Sequence, residues 1–266
     1  MSEPLLTRYL QPLLAGRRAE CFAIVHEAIQ GGMSAERLLR ELVWPAMTQV
    51  ERMFRSDRIT IAVESMATRI NRTVADQLQV HLPRVSRRGE RIVITCANHE
   101  HEELGAQIVA DLLQARGWDV YLMGAEIPHD EVVSLLGQIR PTAFIIFGAR
   151  PQHAPIVRAL IDRIREIGVC PTMNTVLSGG VFNRADGLWQ EVGADAFAPN
   201  AGELIDVISG LAPRQAGTAR RGIVKKRHRR RKSVAISARD SGPATAGVGF
   251  QFESGTVHTA AVATPS

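Results

Sequence analysis

The sequence predicts an α/β protein: a helical bundle, then a five-stranded parallel sheet flanked by helices, then a basic tail. Three observations carry this. Apolar residues recur at spacings of three and four through the first 83 positions, short apolar runs alternate with longer amphipathic stretches from Arg91 onward, and residues 212–266 keep neither pattern. With 266 residues and 45% hydrophobic content the chain has material for two domains.

The bundle is expected over 1–83. Cys21, Val25, Ala28 and Ile29 form one stripe; Leu38, Leu39, Leu42, Val43, Met47, Val50 and Met53 form a second; Val63, Met66, Ala67, Ile70 and Val74 form a third. Each is the face an α-helix buries, and the region has room for four helices. Gly31-Gly32 followed by Ser34 supplies a stop, a turn and an N-cap, and Pro45 is placed to kink or divide the second stripe. Pro83 and the arginine-rich stretch to Arg91 form a polar boundary.

The sheet domain is expected over 90–211. Its strands are read from Arg91–Ala97, Trp118–Met123, Thr142–Phe147 and Thr175–Leu177, with helix-length segments between them. Parallel strands require such crossovers, and the alternation suits a flavodoxin-like (Rossmann-like) order. Ligands in these sheets sit beyond the carboxyl ends of the strands, so the loops at 98–105, 124–129, 148–153 and 178–183 should converge on one site.

Charge divides the chain. Residues 1–210 hold 21 basic and 25 acidic residues, net −4, whereas 211–266 hold 11 and 2, net +9. The run Lys225-Lys226-Arg227-His228-Arg229-Arg230-Arg231-Lys232 repels itself if packed, so 212–266 is expected to be a disordered basic tail able to neutralise phosphates non-specifically. No apolar run approaches the roughly 20 residues of a membrane span, and the first residues lack the order of a signal peptide. A cytoplasmic protein is expected. Cys21, Cys96 and Cys170 form no close pair, which argues against a disulfide framework or a zinc knuckle and for buried apolar thiols.

Chemistry concentrates after the first strand, in Asn98-His99-Glu100-His101-Glu102-Glu103-Leu104-Gly105. Carboxylates in a helix first turn are favoured by the macrodipole, and the histidines there are read either as solvated or as metal donors. No second cluster offers zinc-ligand spacing. His153, after Gly148 in the third loop, and His129 in the second have the same two readings, with His153 facing the crevice. Ser178-Gly179-Gly180 permits close backbone approach to a ligand.

Together these residues resemble the cobalamin-binding domain of methionine synthase, corrinoid proteins and CarH-type photoreceptors, over about 1–210. That family's signature is Asp/Glu-x-His-x-x-Gly, whose His is the lower cobalt ligand. Aligned on Gly105, this chain keeps the acid as Glu100 and carries Glu102 at the ligand position. Gly148 stands where many members have Ser, and the Trp-x9-Glu-His lid of CarH-type proteins is reduced to Phe54 and Glu64-Ser65. Ser178-Gly179-Gly180 and Gly193–Asn200 survive as tail-cradling features. The altered motif, the bundle and His153 together resemble the AerR/PpaA antirepressors, which act through a CrtJ/PpsR-type repressor in response to light or oxygen.

The resemblance implies a non-enzymatic cobalamin-binding regulator of photosystem genes, loaded with hydroxo- or adenosylcobalamin in preference to haem. His153 is its first-choice axial cobalt ligand, ahead of His101 and His99. Two other readings stand beside it: a corrinoid carrier or methyltransferase accessory protein, and a cofactor-free interaction module. No helix-turn-helix is recognisable, so sequence-specific DNA contact would come from a partner.

Overall fold

The computed structural model describes residues 4–97, 100–148 and 150–215, with only the backbone of 100–102. The bundle comprises α1 (Leu5–Leu14), α2 (Arg18–Gln30), α3 (Ala35–Leu38), a π-helical turn (Leu39–Val43), α4 (Trp44–Arg55) and α5 (Ile61–Gln79). Ala35 to Arg55 is one continuous run, so Pro45 does not divide it. A proline lacks the N–H of the regular ladder, and it sits directly after the wider π turn. Ser34 caps the run as expected, its Oγ accepting from Arg37 N–H at 3.2 Å. Thr60 caps α5 in the same way, accepting from Val63 N–H at 3.4 Å.

The stripes meet in a core that fully encloses Leu13, Leu38, Leu39 and Leu78. Tyr9 lies among them, donating from its hydroxyl to Asn71 Oδ1 at 2.9 Å, and burial pushes its phenol well above the ordinary value.

The second part runs β1 (Arg91–Cys96), α6 (Glu100–Ala115), β2 (Asp119–Leu122), α7 (His129–Ile139), β3 (Ala143–Phe147), α8 (His153–Ile167), β4 (Asn174–Ser178), α9 (Gly180–Arg184), α10 (Leu188–Glu191), β5 (Ala196–Phe197) and α11 (Ala201–Gly210). The strands are parallel in the order β2-β1-β3-β4-β5, the expected flavodoxin-like arrangement. β3 and β4 are buried at every position, and β3 accordingly reads as an unbroken apolar run. The period of two still divides them. Ile92, Ile94, Ile145, Phe147 and Val176 join a core shared with the bundle, α6 and α11, while Val93, Phe144, Ile146 and Leu177 join one with α7 and α8. No helix among the described residues is long and apolar enough to cross a membrane.

Bundle and sheet domain meet along α5 and α6 through polar rungs. Arg72 pairs with Glu103 at 3.7 Å, Gln107 donates to Asp76 at 2.6 Å, and Gln79 donates to Asp111 at 2.9 Å. Each helix advances about one turn per rung, so the two lie side by side in the same direction. Asp111, at the last rung, is 7% exposed. Burial raises its carboxyl to about 6, with Asp76 adding to the rise and the Gln79 hydrogen bond opposing it.

Past α11 the chain stays attached beyond the expected boundary at 211. Asn174 Nδ2 donates to Ala212 O at 2.9 Å, and Arg214 reaches Asp195 at 3.0 Å. These contacts tie the segment to the start of β4 and assign 212–214 to the folded part. The basic run at 225–232 lies outside the described residues.

Candidate functional site

At the carboxyl edge of the sheet the connections are shorter than the sequence suggests. β1 ends at Cys96 and α6 has begun by Glu100, so most of the expected loop 98–105 is helix. Glu100, His101 and Glu102 occupy the first turn of α6, but their side chains, like all of His99, lie outside the described residues. The next residue, Glu103, is fixed from two sides. Its Oε1 accepts from Ala125 N–H at 3.2 Å, and its Oε2 pairs with Arg72 of α5. The altered motif is thus held to both the β2 loop and the bundle.

The glycines gather here, each for its own reason. Gly105 is on α6, where a methyl group would lie 3.6 Å from Met47, Trp44 and Phe147, so two bundle side chains and one β3 side chain close over it. Gly179 has φ +106°, open to glycine alone, and a methyl there would lie 2.6 Å from Gly148 O. Gly148 is itself confined, with Phe182 3.1 Å from the position of a methyl. At Gly180 a methyl would lie 2.7 Å from the Glu51 carboxylate of α4. Gly148, Gly179 and Gly180 therefore form one close-packed corner joining the β3 and β4 loops to the bundle. Ser178 is fully buried and donates from Oγ to Ala198 O at 2.8 Å, so its hydroxyl ties β4 to the chain after β5.

His153 follows the β3 loop. It opens α8 as predicted, yet the residue is only 1% exposed. The α8 face that begins with His153 and Ala154 continues through Val157, Leu160 and Ile161 against the sheet, which draws the imidazole inward. His129 begins α7 and is half-buried. Phe54 and Glu64, both half-buried, lie on either side of the α4–α5 corner, where Glu64 accepts from Thr68 Oγ1 at 3.4 Å. Among the described residues no group of three or more His, Cys, Asp or Glu side chains is placed to hold a metal ion.

Sequence reading missed the residues that bring the bundle onto this edge. Arg184 Nη1 donates to Glu51 Oε1 at 2.9 Å across a sequence separation of 133. Arg40 lies so close to α11 that a methyl on Gly202 would be 2.5 Å from its guanidinium, and Arg116, just past α6, pairs with Glu36 of α3 at 2.5 Å. No local signal pairs such residues, because each sits in or beside an ordinary amphipathic helix.

This is the layout of a two-part cofactor-binding protein, with a sheet edge stripped of side chains at its turns and a helical bundle for its second wall. Two family models match, both described as a B12 binding domain, over residues 90–206 and 5–79. The chain belongs to the cobalamin-binding domain family and is a cobalamin-binding protein. It is similar to monomethylamine corrinoid protein 1 of Methanosarcina mazei, 23% identical over 195 residues, 71% of this chain and 88% of the relative. It is also similar to dimethylamine corrinoid protein 1 of Methanosarcina acetivorans, 21% identical over 206 residues, 76% of this chain and 95% of the relative. The structure of the Methanosarcina barkeri monomethylamine corrinoid protein shares the fold, with a TM-score of 0.67, 18% identity, and coverage of 77% of this chain and 96% of that one. The glycine corner lies at the carboxyl ends of β3 and β4, the edge at which ligands of such sheets bind. When bound, cobalamin would supply a redox-active cobalt.

Proposed function

We propose that this chain is a corrinoid carrier that holds cobalamin between bundle and sheet domain, serves a partner methyltransferase, and catalyses no reaction alone. The observation that carries the reading is the bundle's direct share in the site. Trp44 and Met47 stand over Gly105 and Glu51 over Gly180, so the cofactor's environment is built from both parts. The corrinoid relatives are matched over 88% and 95% of their own length, which supports the same division of labour. The test has two steps. Protein incubated with hydroxocobalamin and desalted should retain the corrinoid absorbance in about a one-to-one ratio. Reduced to cobalt(I) and alkylated with methyl iodide, it should then pass the methyl group to a thiol acceptor only when a methyltransferase is added. Failure of transfer with every methyltransferase of the source organism would remove the carrier reading and leave cofactor binding standing.

A second reading is favoured by one specific observation, Glu102 at the position where the family motif has its ligand histidine. A cobalt held by a weaker or displaced donor suits ligand sensing, and a sensor needs only a ligand that binds two states with different affinity. In that reading the chain is an antirepressor of the AerR/PpaA kind, responding to light or redox state through a CrtJ/PpsR-type repressor. Residues 225–232 would add non-specific DNA contact. A mobility-shift assay of such a repressor on its operator, with cofactor-free and cobalamin-loaded protein, separates the two. Equal repressor–DNA affinity in both states excludes the sensor.

A further inference from the structure

We infer that the Glu51–Arg184 pair is a positioning element for the corrinoid, through which bundle helix α4 holds the Ser178-Gly179-Gly180 turn in its binding geometry. The inference rests on cobalamin binding and names residues that the family motif does not contain.

The turn after β4 is tied down in three directions. Toward β3, Gly148 N–H donates to Ser178 O at 3.0 Å and Val181 N–H donates to Gly148 O at 3.2 Å. Toward the chain after β5, Ser178 Oγ and Asn183 Nδ2 donate to the carbonyls of Ala198 and Pro199 at 2.8 and 2.9 Å. The third tie comes from outside the sheet domain and is ionic. Arg184 ends α9, a helix of one turn that starts at Gly180, so whatever fixes its guanidinium also fixes the glycine one turn earlier. Glu51, the only acidic residue of α4, meets it at 2.9 Å, with the two side chains 22% and 28% exposed. Exposed ion pairs are worth about 0–1 kcal/mol, whereas removing one member of a largely desolvated pair costs more, because the remaining charge loses a compensating neighbour.

The two glycines then have different reasons to be glycine. Gly179 is required by its φ and by the backbone of Gly148. Gly180 has no such dihedral. A methyl there would lie 2.5 Å from Arg184 Nη1 and 2.7 and 3.1 Å from the two Glu51 oxygens. A side chain at 180 would displace the ends of both Arg184 and Glu51, so a glycine here leaves room for the bundle carboxylate to reach the turn. A Gly-Gly sequence that looks like a simple flexible turn is one glycine for the sheet domain and one for the clamp.

The experiment uses the full chain, titrated with hydroxocobalamin by absorbance, with each variant's melting temperature measured alongside. Glu51→Gln should weaken binding about tenfold, the loss expected from roughly 1.4 kcal/mol of lost preorganisation. Its melting temperature should fall by only a few degrees. The charge-reversed double variant, Glu51→Arg with Arg184→Glu, should recover most of that affinity, which a merely structural loss would not do. Gly180→Ala keeps both charges and should still weaken binding by a similar factor, and it stands in if a charge variant fails to fold. Unchanged or tighter binding by Glu51→Gln overturns the inference, as does a double variant no better than the single ones. Wild-type protein that takes up no cobalamin would instead overturn the reading on which the inference rests.

Discussion

Protonation of Asp111 should make the protein more stable in mild acid than at neutral pH, and Asp111→Asn should abolish that difference. The acid sits at the last rung of the α5–α6 seam, where burial raises its carboxyl from 3.8 to about 6. The folded state therefore binds more protons than the unfolded chain between those values. Stability contributed by this group is greatest below pH 4, declines as pH rises to 6, and is level above it. A shift of this size corresponds to about 3 kcal/mol. The Asp111→Asn side chain would keep an oxygen for the Gln79 N–H, 2.9 Å away in the wild type, and would remove the charge that faces Asp76. Asp111 Oδ2 has no partner among the described residues, and an amide nitrogen there inherits that position, so the desolvation cost of the second atom largely cancels. The other charged groups near the rung are Arg84 and Arg87 of the linker and Asp119, which Arg87 pairs at 3.1 Å. Urea unfolding at pH 4, 5, 6 and 7.5 checks the reasoning. The variant should match wild type at pH 4 and exceed it by about 1–3 kcal/mol at pH 7.5. Equal or lower stability at pH 7.5 would refute it.

Other consequences can be measured directly. Gly179→Ala should cost about 1–3 kcal/mol from its dihedral alone and lose cobalamin binding with it, read by thermal melting and absorbance titration. Glu102→His recreates the family's ligand histidine and should tighten hydroxocobalamin about tenfold or more, with a shift in its absorbance bands, because an imidazole is the better cobalt donor. His153→Ala should lower stability by about 2–4 kcal/mol, as expected for emptying an enclosed site, while leaving the spectrum of bound cobalamin unchanged. A changed spectrum would restore His153 as the axial ligand. Truncation after Leu211 should be more harmful than truncation after Gln215, because the first removes Arg214 from Asp195 and the second does not.

The strands were legible because a parallel sheet is covered on both faces, which turns β1 and β3 into continuous apolar runs that few helices produce. β5 was not, since two residues paired to Val176 and Leu177 leave no periodicity to read. The glycine corner could be named from sequence, but its two functions could not, because they depend on Gly148 O and Glu51 arriving from distant elements. The burial of His153 was hidden for a related reason. A histidine at a helix start looks the same in sequence whether the first turn rolls toward solvent or toward Val157 and the sheet, and tertiary packing decides. Glu103 was read only as a dipole-favoured acid, and its bond to Ala125 N–H needed the β2 loop to be in place.

The π turn between Leu39 and Val43 bears on which insertions and deletions this chain can survive. Such a turn takes up about one residue more than an α turn, so it absorbs a surplus residue while α4 keeps its phase. Trp44, Met47 and Glu51 consequently fall on the side that meets Gly105 and Gly180. If the same residues wound into regular helix, every position downstream would advance by one place, a rotation of about 100°. Val50 would then confront Arg184, and Glu51 would leave the crevice. Losing one residue from this stretch would be the gentler change, since the helix could close without the bulge and keep its facing side. Related chains with a shorter second helical run should therefore lack the turn yet still present an acid to the loop after β4.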